Sequence, residues 1–296
     1  MTAADRSTAA DRSTAGDRGT AFGARLHAAV QARGSLCVGI DPHAGLLAEW
    51  GLSDDVDGLK RFALSVVEAL GDQVAVLKPQ SAFFERHGSR GVAVLEQVVA
   101  GCRELGALCI VDAKRGDIGS TMAAYADAFA GQGSALAGDA VTASPYLGFG
   151  SLRPLLDLAA ANDRGVFVLA LTSNPEGAGV QHARDEAGRT VAQGILDAAG
   201  AENAGARPMG SVGVVVGATV GRAGVVHDLS AVNGPLLAPG IGAQGATAQD
   251  LRTVFGSSRV NVLPSSSREV LRGGPGAAGL REAAGRTLEQ CRRALG

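Results

Sequence analysis

Short runs of branched apolar residues recur along this chain, bounded by glycine, proline or charged positions. Between them, apolar side chains return every three or four residues. The short runs are too brief for helices and read as buried strands: 36–40, 74–77, 108–111, 140–143, 166–171, 212–216, 236–238 and 260–263. The longer stretches predict amphipathic or alanine-rich helices over 58–70, 92–105, 121–130, 151–161, 187–199, 223–231 and 248–255, with a last helix over about 277–294. Eight strand–helix units in roughly 260 residues match a closed (β/α)8 barrel in number and length. A doubly wound sheet of this length would usually carry fewer strands or a second domain, and no linker separates one. The expected fold class is α/β, a single TIM barrel.

The pattern is missing at the start. Thr2-Ala3-Ala4-Asp5-Arg6-Ser7 returns as Thr8 to Ser13 and, altered, as Thr14 to Gly19. Nothing in this repeat offers an apolar face large enough to offset the entropy of ordering, so residues 1–21 are expected to form a disordered tail with no catalytic role. The catalytic barrel is expected over 22–296. A glycine-rich connection, Asn174 to about Arg184, follows the fifth run and reads equally as a lid or as a loose surface loop.

In such barrels the site forms where the C-terminal ends of the strands meet, so residues just past each run are the candidates for chemistry. The third run leads into Asp112-Ala113-Lys114-Arg115-Gly116-Asp117-Ile118-Gly119-Ser120-Thr121. Residues two apart on a strand share a face, which puts Asp112 and Lys114 side by side. Gly116 permits a sharp turn, Asp117 is expected to bring a second carboxylate to the same ammonium, and Ser120 is expected to cap the next helix. The first run ends in Asp41-Pro42-His43, the second in Lys78, the fourth in Thr142-Ala143-Ser144-Pro145-Tyr146 and the fifth in Thr172-Ser173-Asn174. After the seventh comes Gly240-Ile241-Gly242-Ala243-Gln244-Gly245, and after the eighth Ser265-Ser266-Ser267-Arg268.

Composition sharpens this picture. Of 27 basic residues only Lys60, Lys78 and Lys114 are lysine. Arginine does not give up its proton near neutral pH, so lysines kept at two strand ends suggest a chemical use; for Lys114 the plainer alternative is a structural ion pair. Lys60 falls in an amphipathic stretch and reads as solvated. The glycine and serine loops after the seventh and eighth runs let backbone approach a phosphate, and Arg268 offers a fork of donors, unless these are ordinary turns. A dinucleotide reading of G-x-G-x-x-G fails, because no acidic residue lies between Asp250 and Glu269 to hold a ribose.

A net charge of −2 argues against nucleic acid as a main partner. No apolar run reaches transmembrane length and the first residues carry charge where a signal core would be apolar, so a cytoplasmic protein without membrane association is expected. Cys37, Cys102, Cys109 and Cys291 form no C-x-x-C pair, and the three of them that lie in apolar segments read as reduced core residues. The histidines are dispersed without ligand spacing, and neither G-x-S-x-G nor H-E-x-x-H occurs.

Asp112-x-Lys114-x-x-Asp117-Ile118-x-x-Thr121 resembles the signature of the orotidine 5′-phosphate decarboxylase family in its longer bacterial form, type 2. Supporting matches occur in order at Gly39-Ile40-Asp41-Pro42, Leu77-Lys78-Pro79, Pro145-Tyr146-Leu147-Gly148, Thr172-Ser173-Asn174, Gly240–Gly245 and Ser267-Arg268. The resemblance implies decarboxylation of orotidine 5′-phosphate to uridine 5′-phosphate in pyrimidine synthesis, with no metal and no cofactor. It implies Lys114 as proton donor to the pyrimidine carbon that loses carbon dioxide, with Asp112 against the substrate carboxylate. Lys78 and Asp117 would complete an alternating charge array. Asp41 and Lys78 would bind ribose hydroxyls, Ser173 the pyrimidine, and Gln244 and Arg268 the phosphate. Asp117 and Thr121 would reach into the neighbouring subunit, making a homodimer with shared active sites the expected assembly.

Sugar-phosphate decarboxylases and synthases of the same barrels share D-x-K-x-x-D but need magnesium. Ile118 and Thr121 favour the orotidine reading, as does the lack of an extra acidic residue after the first or second run. A non-catalytic barrel that senses a nucleotide phosphate is the third reading, and it leaves the two lysines at strand ends unexplained.

Overall fold

A computed structural model describes residues 19–220, 227–240 and 248–295. Helix α1 (Phe22–Arg33) precedes β1 (Cys37–Ile40), followed by α2 (Ala44–Glu49), α3 (Val56–Leu70), β2 (Val76–Pro79), α4 (Ser81–Glu85), α5 (Gly88–Leu105), β3 (Leu108–Arg115) and α6 (Gly119–Ala130). The chain continues through β4 (Ala140–Ala143), α7 (Arg153–Ala161), β5 (Gly165–Leu171), α8 (Ala178–Gln181), α9 (Val191–Glu202) and β6 (Val212–Val216). It closes with β7 (Leu236–Pro239), α10 (Ala248–Phe255), β8 (Val262–Ser266), α11 (Arg268–Leu271) and α12 (Ala277–Leu295). The eight strands pair in chain order and all in parallel, and β8 returns to β1 with Cys37 opposite Ser265. This is the (β/α)8 barrel that the apolar pattern predicts.

Alternation along each strand divides the core. Outward-facing Val38, Ile40, Leu77, Val111 and Val168 join the helices in one continuous apolar shell. Inward-facing Cys37, Val76, Ile110, Ala140, Phe167, Leu237 and Leu263 fill the barrel itself. Helix α1 lies across the N-terminal end. It buries Phe22 and Leu26 against that inner cluster, with the Phe22 ring edge-on to Phe167 at 5.9 Å. Arg25 ties it to Asp139 just before β4.

Four strands run further toward their C-terminal ends than the apolar runs do: β2, β3, β7 and β8. Their last residues include Lys78, Asp112, Lys114 and Ser265, polar side chains that keep the ladder going where hydrophobic patterning has stopped. The helix expected over 187–199 starts at Val191, where the Thr190 hydroxyl accepts from the Gln193 amide. The helix expected over 223–231 is not a helix in its described part: 230–232 form a single 3-10 turn, and 223–226 lie outside the described residues. Ser120 does not cap α6. The helix begins a residue earlier, at Gly119, and Ile118 stands at the cap position without a side-chain bond.

Candidate active site

The alternation that fills the barrel with apolar side chains also builds its mouth. Two residues beyond Val76, Ile110, Ala140, Leu237 and Leu263 stand Lys78, Asp112, Thr142, Pro239 and Ser265, all facing one cavity of about 960 Å³. Asp41, Lys114 and Arg268 line the same space.

Asp112 is the centre of this arrangement. Its Oδ2 accepts from Lys78 Nζ at 2.7 Å, and its Oδ1 accepts from Lys114 Nζ at 2.6 Å and from the Thr142 hydroxyl at 2.8 Å. Burial alone would raise the Asp112 pKa, but the two ammonium groups outweigh it and hold the carboxyl well below the usual range. Burial works equally against charge on Lys78; the carboxylates of Asp112 and Asp41 reverse that and keep its pKa above the ordinary lysine value. Lys78 and Asp112 are both buried, whereas Lys114 has 41% of its side chain exposed and faces the open cavity. Deep in the barrel, the Cys37 thiol is pushed up to about 12, chiefly by burial, and stays protonated.

The backbone places Lys114 by an irregularity. Val111 pairs with Val141 and Arg115 with Ala143, so four residue steps on β3 are matched by two on β4. Within this bulge Lys114 has φ 49°, left-handed for a residue with a side chain. Its amide donates to Thr142 Oγ1 at 2.9 Å, and its ammonium also reaches Gln80 Oε1 at 3.3 Å. Past the bulge, Arg115 donates to the Ala113 carbonyl at 3.2 Å and pairs with Glu85. Tyr125 and Phe129 of α6 cover its guanidinium at 5.6 and 5.5 Å. Gly116 then passes so close to β4 that a Cβ there would lie 2.2 Å from the Ser144 carbonyl oxygen.

Elsewhere on the cavity wall, Asp41 Oδ1 and the Ser267 hydroxyl are buried without a hydrogen-bond partner among the described residues. Ser267 and Arg268 follow β8, and Gly240, with φ 105°, turns the chain away at the end of β7. Unspent acceptors and donors beside a guanidinium suit a ligand carrying hydroxyls and an anion.

Of the residues expected from sequence, Asp41, Lys78, Asp112, Lys114 and Arg268 surround one cavity. Asp117 does not join Lys114 within the chain: its Oδ1 accepts from the Ile118 amide, because the turn after Arg115 carries it away from the mouth. Thr121 is exposed on α6. Ser173 is exposed at the end of β5, between cavity-lining Thr172 and Asn174, and Gln244 lies outside the described residues. The connection after β5 is partly ordered. It contains α8, whose Gln181 side chain clasps Thr172 through both amide atoms. Sequence reasoning named Thr142 as a polar strand end without giving it a role, and passed over Gln80 and Arg115. Register was the available signal, since Gln80 and Thr142 stand two residues beyond Lys78 and Ala140.

The model of the orotidine 5′-phosphate decarboxylase / HUMPS family matches residues 34–278. An orotidine 5′-phosphate decarboxylase of Salinispora arenicola is 67% identical over 275 residues, 93% of this chain and 98% of the relative; one from Streptomyces coelicolor is 62% identical over 274 residues, with the same shares covered. A crystal structure from Streptomyces avermitilis assigned to the same enzyme superposes with a TM-score of 0.90 at 63% identity, covering 93% of this chain and 96% of that one. The family model matches most of the chain, and relatives this similar are matched along nearly their whole length: the chain belongs to the orotidine 5′-phosphate decarboxylase / HUMPS family.

Proposed function

We infer that this chain decarboxylates orotidine 5′-phosphate to uridine 5′-phosphate and carbon dioxide, a step of pyrimidine nucleotide synthesis. The observation that carries the reading is the Lys78–Asp112–Lys114 array facing a single cavity, in a chain 62–67% identical to relatives named for that activity. In the reaction, the bond between the pyrimidine carbon and its carboxylate breaks and carbon dioxide leaves. The electron pair stays on the ring carbon, with no adjacent carbonyl to spread it. That carbon takes a proton from the Lys114 ammonium, and the lysine regains one from solvent. An ammonium fixed beforehand stabilises the nascent carbanion without reorganising solvent. Asp112 is already ionised and would meet the substrate carboxylate. The phosphate and ribose, gripped by Arg268, Gln244, Asp41 and Lys78, would supply the binding energy that brings these like charges together.

The test is the loss of orotidine 5′-phosphate absorbance with purified protein in EDTA. The wild type turns over and Lys114→Ala does not, while still unfolding cooperatively. Turnover that EDTA abolishes would favour the magnesium-dependent sugar-phosphate enzymes of the family instead.

The assembly we assign is a homodimer in which Asp117 and Thr121 complete the partner's site. In support, Asp117 and Thr121 do not line their own chain's cavity, and Ile118 between them is an exposed apolar side chain suited to contact with a second copy. Mixing inactive Lys114→Ala with inactive Asp117→Ala restores about a quarter of the sites if subunits exchange at random, because one hybrid site carries neither defect. No recovery after exchange shown by mass-tagged subunits would sink the shared site. We assign the chemistry to residues 22–296, none to residues 1–21, and the cytoplasm as the compartment. Among the described residues no helix is long and apolar enough to cross a membrane.

A further inference from the structure

We propose that Thr142 is a positioning residue for this decarboxylation, setting both the proton donor and its carboxylate partner through one hydroxyl. The proposal rests on the reading of Lys114 as the proton donor.

A threonine hydroxyl has one hydrogen to give and lone pairs to receive. Here the hydrogen goes to Asp112 Oδ1 at 2.8 Å, and a lone pair takes the Lys114 amide at 2.9 Å. Thr142 therefore bonds the side chain of one array member and the backbone of another. It is 1% exposed, so no solvent replaces either bond. The site it serves is strained. Lys114 sits at φ 49° inside a bulge, a conformation that persists only where its surroundings over-determine it. The Thr142 oxygen holds the amide of that residue directly. Its other bond competes with Lys114 Nζ for the same carboxylate oxygen, fixing which way the carboxylate faces.

Thr142 also stands in the right register. It lies two residues beyond Ala140 on the inward face of β4, level with Asp112, and is itself in regular pairing with Phe167 on β5. A rigid strand thus supplies the reference point for an irregular one. Valine at this position keeps the shape and the β-branch but leaves the Lys114 amide without its acceptor and takes from Asp112 Oδ1 one of its two donors, so that only Lys114 Nζ remains on that oxygen.

The experiment compares Thr142→Val, Thr142→Ser and Lys114→Ala with wild type, measuring kcat, KM for orotidine 5′-phosphate, and melting temperature. We expect Thr142→Val to lower kcat about 30-fold with KM within about threefold, because phosphate and ribose contacts lie elsewhere. Thr142→Ser restores most of kcat. A purely structural role would lower the melting temperature of Thr142→Val while leaving kcat per folded site unchanged, or would leave Thr142→Ser as slow as the valine variant; either result overturns the proposal. If Lys114→Ala is inactive and Thr142→Val runs at the wild-type rate, the positioning role fails and the functional reading stands. If wild type does not turn over, both fall.

Discussion

Asp112 serves two lysines at once, and its ionisation has consequences for stability as well as chemistry. Its folded-state pKa is depressed, so its contribution is present above the unfolded carboxylate value of about 3.9 and is lost only as pH falls through the lower folded value. Lys78 runs the other way. Its folded pKa is raised, so its contribution is complete below the unfolded value of about 10.4 and is lost as pH rises through the higher folded one. Across neutral pH the pair is therefore fully formed. Asp112→Asn leaves the buried Lys78 ammonium short of a partner and is expected to cost about 3–5 kcal/mol. Urea unfolding at a series of pH values checks this: the gap between wild type and variant should stay level from pH ~8 to ~5 and shrink only in strong acid. A gap that closes by pH ~5 would mean that the carboxylate is not held as described. These roles were partly legible in the residues themselves, since a spacing of two on a strand sets Asp112 beside Lys114. The third contact on Asp112 comes from Thr142: alternation along β4 turns that side chain inward, but which residue of β3 it meets depends on the pairing between strands, which no local pattern states.

At the scale of elements, β3 and its exit loop do most to define the site. The apolar run 108–111 announced the strand but not its continuation to Arg115, because the bulge breaks the alternation that makes a strand visible. The same irregularity explains the misplacement of Asp117. The turn expected at Gly116 brings its carboxylate back to Lys114, whereas the turn that forms takes it outward and its Oδ1 accepts from the Ile118 amide. That turn depends on close packing. Gly116→Ala would press a methyl group against the Ser144 carbonyl, and separating the loop from β4 is expected to lower kcat at least tenfold and to cost about 1–3 kcal/mol of stability. Paired kinetic and denaturant measurements check it; unchanged kcat would show that the loop and the array move independently. Helices α1, α2, α4, α8 and α11 escaped the sequence reading. Most are too short for a 3.6-residue period to repeat, and α1 buries only Phe22, Gly23 and Leu26.

For the molecule as a whole, the barrel separates stability from chemistry along its axis. The ends of the strands that carry charge lie opposite the end closed by α1. Phe22→Ala removes a ring packed between Gly165 and Phe167 and is expected to cost about 3–5 kcal/mol while leaving KM and kcat within about twofold. Deleting residues 2–18 should change neither quantity. A loss of activity in that deletion would give the repeat a function that its composition does not suggest. The barrel itself was the most legible feature, because eight apolar runs alternating with helices leave few other ways to bury both faces of the strands.

The scarcity of lysine gives this protein an unusual chemical handle. An amine-directed acylating reagent meets one exposed lysine side chain on α3, Lys60, and one in the open cavity, Lys114, while Lys78 is shielded until the chain unfolds. Peptide mass mapping of such modification, with and without uridine 5′-phosphate, would turn Lys114 into a built-in reporter of site occupancy, with Lys60 as its internal standard.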